Sequence, residues 1–302
     1  MSTSNRRVRS SEVIHESGTF GAYDGLRLYY QHWRPAATPL AVLVIVHGLA
    51  EHSGRHERFG RELAEAGYAV ETFDLRGHGR SEGMWGYVSS FDDYVRDLET
   101  FLQNVSARQA HFPLVLMGHS MGGTIAALLA ISRRFPLAAL ILSAPAVRLW
   151  QDTGWAVRAF AHLMSRFLPK MRTMPLAAQY ISRDLAVVEA YEQDPLVYRA
   201  GLRVRTVDEF LRATQRVREG AAAIREPLLI LQGTEDRLVQ PRGAAELYEK
   251  ASSPDKTLRL YEGLYHELLN EPERERVLMD ILAWLEERFA HREQDPSDGG
   301  EP

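Results

Sequence analysis

Residues 118–123 read Gly-His-Ser-Met-Gly-Gly and follow a short apolar run, Pro-Leu-Val-Leu-Met, at 113–117. A serine hydroxyl is a poor nucleophile until it is presented to a base, and a sharp strand-to-helix turn is one way to present it. Such a turn has room only for small neighbours, and Gly118 and Gly122 flank Ser120 at the spacing it needs. Downstream, the alanine-rich run 124–132 contains no helix breaker, so the apolar strand, the turn and the helix are all predicted in order. The chemistry implied is attack of Ser120 on an acyl carbon through a covalent intermediate.

The base and the acid that orients it are sought in chain order, since on a nucleophile elbow of this kind the acid and then the histidine follow the serine. Beyond Ser120 the histidines are His162, His266 and His291. His162 falls in a predicted helix and His291 in a polar terminal stretch, where nothing would hold it. His266 follows the short alternating strand predicted at 257–261, across the turn Glu262-Gly263, and is the candidate base. Asp236 follows the nearly unbroken apolar run 227–233, typical of a parallel strand buried on both faces, and is the candidate acid. Alone, such an aspartate is as readily a helix cap and such a histidine a surface or core residue. It is the agreement of elbow, order and strand ends that selects them. Two backbone donors must also face the oxyanion of the tetrahedral intermediate. Met121, next after the serine, supplies one N–H; Leu49, after the run 40–46 and the tight turn at Gly48, supplies the other.

These residues require a scaffold. From Val42 onward, buried strands predicted at 42–46, 69–73, 114–117, 139–142, 228–231 and 258–261 alternate with helices, which means a mostly parallel sheet covered on both faces. Asp24-Gly25 sits between two strand-like runs in residues 21–33 and reads as a hairpin. Between 148 and 225 the alternation stops and the chain becomes helical, aromatic and methionine-rich: an inserted helical lid. The domain reading is thus core 1–147, lid 148–225, core 226–290 and a disordered tail 291–302. Along 155–168, Val157, Phe160, Leu163, Met164, Phe167 and Leu168 share one helical face, with Arg158, His162 and Arg166 opposite. Leu163 and Phe167 are expected to line an acyl tunnel. The basic edge, with Lys170 and Arg172, suits either transient contact with an anionic membrane or simple solvation.

Composition agrees. The chain of 302 residues is 45% hydrophobic with a net charge of −4, which gives no general affinity for nucleic acid. It has no cysteine, hence no thiol nucleophile, disulfide or thiolate metal site. No metal or organic cofactor is called for. The first twenty residues are polar, with Arg6, Arg7 and Arg9 and no apolar core of a signal peptide, and no stretch approaches a spanning helix, so a cytoplasmic protein is expected.

Five segments carry a resemblance: His47-Gly-Leu-Ala-Glu-His-Ser-Gly-Arg55, Asp74-Leu-Arg-Gly-His-Gly-Arg-Ser-Glu-Gly83, the elbow itself, Leu231-Gln-Gly-Thr-Glu-Asp236 and Tyr261-Glu-Gly-Leu-Tyr-His266. Together with Asp194-Pro-Leu-Val-Tyr-Arg-Ala-Gly201 they resemble the monoacylglycerol lipase and lysophospholipase group of the α/β-hydrolases. The resemblance implies an α/β-hydrolase fold, a Ser120–Asp236–His266 triad, Leu49 and Met121 as oxyanion donors, and hydrolysis of a lipid ester to fatty acid and glycerol. It also implies polar recognition of glycerol by Glu51, Arg55 and, from the lid, Tyr191; the alternative for Glu51 and Arg55 is that they pair and brace the loop. Where the group usually has a small residue and then glycine, this chain has Leu49 and Ala50; where the group usually has an aromatic, it has His56; and Leu269 stands where some members have a second histidine. Arg55 and the basic lid residues leave a lysophospholipid open as substrate beside a monoglyceride, and broad carboxylesterase activity remains a further reading. A binding module built on the same fold is the reading of a different class.

Overall fold

The computed structural model describes residues 12–149 and 162–290. Eight strands form one sheet: β1 (Val13–Gly21), β2 (Arg27–Pro35), β3 (Val42–Val46), β4 (Ala69–Phe73), β5 (Leu114–His119), β6 (Ala139–Ser143), β7 (Leu228–Gly233) and β8 (Lys256–Tyr261). Their order across the sheet is β1-β2-β4-β3-β5-β6-β7-β8. β1 pairs antiparallel with β2 and β2 with β4, while every other pairing is parallel. The hairpin lies at Asp24-Gly25 as expected, but its first strand starts at Val13, upstream of residue 21. Val13 to Gly21 pair residue for residue with β2, so a polar segment becomes an edge strand through its neighbour's hydrogen bonds rather than through its own hydropathy.

The central strands β3 to β7 are buried at every position because both faces are covered. Val42, Val44 and Val46 of β3 enter one core with Leu114 and Leu116 of β5, while Leu43 and Ile45 enter the other with Val115 and Met117. On the first face lie helices α2 (Phe91–Arg108), α3 (Met121–Ser132), α5 (Val204–Gly220) and α6 (Pro241–Lys250); on the second lie α1 (Glu57–Glu65) and α7 (Arg274–Phe289). Each fully buried leucine or isoleucine in these layers stabilises the fold by roughly 1.5–3 kcal/mol. Helix α5, expected in the lid, packs Phe210, Ala213 and Val217 into the first core; its apolar stripe is long enough to serve as both sheet cover and cavity wall. Among the described residues, the rest of the segment 148–225 comprises α4 (Leu185–Gln193), a short helical segment at 162–167 and connecting loops. Val157, Arg158, Phe160, His291, the arginines at 6, 7 and 9 and the tail 291–302 lie outside the described residues. No described helix is long and apolar enough to cross a membrane.

Parallel strands aligned in this order bring the loops after β3, β5, β7 and β8 to one edge of the sheet, at the strands' carboxyl ends. Ligands of open α/β sheets bind at that edge, and each chemistry-bearing residue singled out above, the lid's excepted, falls in one of those loops.

Candidate active site

Ser120 closes β5 and caps α3 with φ 53° and ψ −117°. A non-glycine residue at positive φ outside a helix end costs of order 1–3 kcal/mol and persists only where its surroundings enforce it. Here Ser120 N–H donates to Ser143 O at 3.0 Å, and Ser120 O accepts from Ala146 N at 3.1 Å and Thr124 N at 3.2 Å. The glycines are required by contact. A Cβ on Gly118 would stand 2.3 Å from Gly122 O, and one on Gly122 would stand 2.1 Å from Val46 O. Gly48 lets the loop after β3 close over the elbow: its own Cβ would lie 3.1 Å from Ser120 Cβ.

That loop is set by neighbouring side chains. His47 Nδ1–H donates to Gly48 O at 2.8 Å, and its Nε2 accepts from Leu75 N at 2.9 Å. Complete burial, with the neighbouring His78, lowers its pKa to about 3, so the imidazole is neutral and this tautomer is the one the bonds require. Ala50 sits at φ 64°, the left-handed region that accounts for glycine being usual there. Gly48 N donates to Glu51 Oε1 at 2.5 Å. Among the described residues no turn or cap hydrogen bond takes up the N–H of Leu49 or of Met121, and Leu49 lines the same cavity as Ser120.

Asp236 and His266 meet across the ends of β7 and β8. His266 Nδ1–H donates to Asp236 Oδ2 at 2.7 Å, and Asp236 Oδ1 accepts from Leu238 N and Val239 N at 2.8 and 3.0 Å. Both residues are buried. Burial disfavours the Asp236 charge, but the His266 charge and hydrogen bond and the two backbone donors outweigh it and hold the carboxyl below its usual range. Burial likewise disfavours the His266 imidazolium, yet Asp236, with Glu267 and Glu51 behind it, raises its pKa above 6.5. Bonding at Nδ1 leaves Nε2 for the cavity, which Ser120 and His266 both line. His119, its ring 4.9 Å from that of His266, is pushed down to about 4 by burial and by that neighbour.

The cavity measures about 360 Å³. Leu149, Leu176, Leu202, Val207, Phe210 and Leu238 make it apolar on one side; Glu51, His119, Tyr191 and Glu267 make it polar beside the serine. Glu51 and Tyr191 thus line the cavity that holds Ser120. Arg55 does not. Its guanidinium is held in a bidentate pair with Glu267 at 2.5 and 2.7 Å, contacts Glu51 at 3.2 Å and lies against the Tyr191 ring at 4.8 Å. It braces the oxyanion loop against the histidine loop, and Tyr191 rather than Arg55 meets the cavity. Leu163 and Phe167 are likewise displaced from the expected tunnel: they are 52% and 71% exposed and do not line the cavity. The helix they sit on turns its other side inward, where His162 pairs with Asp208 of α5 at 3.0 Å. The apolar wall comes instead from α5 and the loops around it. Glu267, which sequence reading did not single out, lines the cavity and holds Arg55; its adjacency to His266 in the chain was the available signal.

The cap is joined to the catalytic loops by backbone bonds. Tyr198 N donates to Ala50 O at 2.9 Å and Glu267 N to Ile181 O at 2.8 Å. His52 Nε2 and Asp194 Oδ2 are 2.8 Å apart. Asp74 ties the loop after β4 to the same region, its Oδ1 accepting from Ser53 N at 2.7 Å and its Oδ2 from Arg80 N at 2.8 Å. A strained serine, a buried imidazole–carboxylate pair and free backbone donors at one end of a half-apolar cavity can transfer an acyl group to water.

A family model described as serine aminopeptidase, S33, matches residues 37–273. The chain is 35% identical over 269 residues to a monoacylglycerol lipase of Mycolicibacterium smegmatis, covering 88% of this chain and 95% of that one. It is 38% identical over 273 residues to a monoglyceride lipase of Homo sapiens, covering 88% and 89% respectively. Among solved structures it resembles a monoacylglycerol lipase of Paleococcus ferrophilus with a TM-score of 0.76 and 28% identity, over 92% of this chain and 99% of that one.

Proposed function

The chain belongs to the serine aminopeptidase S33 family of α/β-hydrolases, and from that membership we propose that it hydrolyses the ester bond of monoacylglycerols to fatty acid and glycerol. The observation that carries the reading is the cavity: Ser120 and His266 line it, its apolar side chains suit an acyl chain, and its polar end offers Glu51, Tyr191 and Glu267 to hydroxyl groups. Identities of 35% and 38% to proteins named for this activity support it.

In the mechanism that follows, Ser120 Oγ attacks the ester carbonyl while His266 Nε2 takes its proton. Asp236 holds the imidazole in the tautomer with Nδ1–H and stabilises the imidazolium. The oxyanion faces the N–H groups of Leu49 and Met121. Collapse releases glycerol, which receives its proton from His266, and water activated by the same imidazole then frees the fatty acid.

The substrate is delivered from lipid. Leu163, Phe167, Leu168, Met171, Met174 and Leu185 are exposed apolar side chains of the cap, and Arg166, Lys170 and Arg172 are exposed among them. This is the composition of a surface that rests at a lipid interface, so peripheral contact with a membrane belongs to the proposal. Values of kcat/KM for monooleoylglycerol, dioleoylglycerol and oleoyl-lysophosphatidylcholine, with Ser120→Ala as blank, test the function. A preference for the monoglyceride is expected; a preference for the lysophospholipid would replace the proposal with a lysophospholipase.

A further inference from the structure

Two buried carboxylates, Glu51 and Glu267, line the polar end of the cavity, and the arginine between them does not. Glu267 engages both terminal nitrogens of Arg55, one carboxylate oxygen to each, and Glu51 takes a further contact from the same guanidinium. Arg55 is covered on one side by the ring of Tyr191, which itself faces the cavity. Counting carboxylates and guanidinium, this cluster carries one net negative charge. His56 stands 3.6 Å from Glu51 on the side of α1, His119 lies beside His266, and Asn270 Nδ2 donates to Glu267 at 2.9 Å. Arg237 also lines the cavity, but it is exposed, with its guanidinium against the rings of Tyr180 and Tyr265.

We infer that Glu267 determines head-group specificity: by occupying Arg55 and leaving the polar end net negative, it admits a neutral polyol and excludes an anionic head group such as a phosphate monoester. The inference rests on the ester-hydrolase reading above and names its substrate class. A carboxylate oxygen has two acceptor sites, so Glu51 and Glu267 keep capacity for glycerol hydroxyl donors beyond the bonds they already make. An ionised phosphate brings only acceptors into a buried site that already carries excess negative charge, where like charges repel strongly. Arg237 does not cancel this, because an exposed charge is screened by water and salt far more than a buried one. Sequence alone left Arg55 open as a phosphate ligand or as a brace; the pairing with Glu267 favours the brace.

The test uses octanoylglycerol and octanoylglycerol phosphate below their micellar concentrations, so that interfacial charge plays no part. The readout is the ratio of their kcat/KM values. The folded wild type is expected to prefer the neutral substrate at least 100-fold. Glu267→Gln, which releases Arg55 and removes one negative charge, is expected to narrow the ratio at least tenfold; Arg55→Gln, which removes the positive charge, is expected to widen it. Both variants break the same ion pair, so a purely bracing role would move the ratio in neither direction or in the same direction for both. That result, or a wild-type ratio near one, overturns the inference; should Glu267→Gln not fold, the wild-type and Arg55→Gln ratios decide it. Absence of octanoylglycerol turnover, together with no labelling of Ser120 by a fluorophosphonate, would instead sink the hydrolase reading itself.

Discussion

The roles proposed for Ser120, His266 and Asp236 depend on charge states that their surroundings set. Three carboxylates, Asp236, Glu267 and Glu51, raise the His266 pKa above its ordinary 6.5. Since the base must be neutral to accept the serine proton, activity is lost as pH falls through that raised value. The acid limb of kcat/KM for a soluble monoglyceride is therefore expected above pH 6.5, and a limb well below it would remove His266 as the base. Asp236→Asn keeps the shape of the pair but removes its charge and favours the wrong tautomer. It is expected to lower kcat by about 10³–10⁴-fold and move the acid limb to lower pH, with the circular dichroism spectrum unchanged. Much of this geometry was legible in the chain: the strained turn at Ser120 in its glycines, and the pairing of Asp236 with His266 in their places after successive strands. Glu267 was not, because a glutamate beside a histidine has no meaning until Arg55, 212 residues earlier in the chain, arrives next to it.

At the scale of elements, the turn after β5 is closely constrained by backbone on both sides. Gly122→Ala places a methyl 2.1 Å from a backbone oxygen of β3, and backbone cannot yield as a flexible side chain can. A loss of stability of about 3 kcal/mol or more is expected, read as a lower denaturation midpoint; a near-wild-type midpoint would mean that the strand and helix are farther apart than the geometry gives. The cap behaves differently. A helical apolar stripe is visible in sequence, but periodicity gives only a face and not its neighbour. Tertiary contacts turn Leu163 and Phe167 outward and give the inner wall to Phe210 and Val207 of α5. Replacing Leu163 and Phe167 with serine is thus expected to leave turnover of a dissolved short-chain ester within about twofold of wild type, and to reduce turnover of monooleoylglycerol presented in anionic vesicles severalfold. Equal losses on both substrates would place these side chains at the site after all.

Across the whole molecule, several imidazoles are buried uncharged around the site. Burial depresses His47 to about 3 and His119 to about 4, so the unfolded chain binds more protons than the native one between pH 6.5 and those values. Stability from them is present above pH 6.5 and lost as pH falls through that window. Despite its burial, Glu51 is held well below 4.5 by His56, Arg55 and His119, and its contribution is lost only below pH 4.5. His266 opposes them, since its raised pKa stabilises below 6.5 and that stability is lost as pH rises through the folded value. His78 is lowered by burial as well, so three depressed histidines stand against the single raised one. The Tm is expected to be lower at pH 5 than at pH 7.5 by on the order of 5 °C, and a calorimetric Tm that is flat or rises on acidification would contradict the neutral assignment.

The sequence by itself determined the alternation of buried strands and helices, the elbow, the order of nucleophile, acid and base, and the loop that offers a second backbone donor. Each is written in a few adjacent residues, and parallel pairing then carries all of them to one edge of the sheet. Only the tertiary structure decided which partner occupies Arg55, which side of the cap faces the cavity, that α5 serves the core as well as the site, and that the polar strand Val13–Gly21 joins the sheet. These outcomes depend on contacts between segments far apart in the chain, whose energies arise only when both segments are in place.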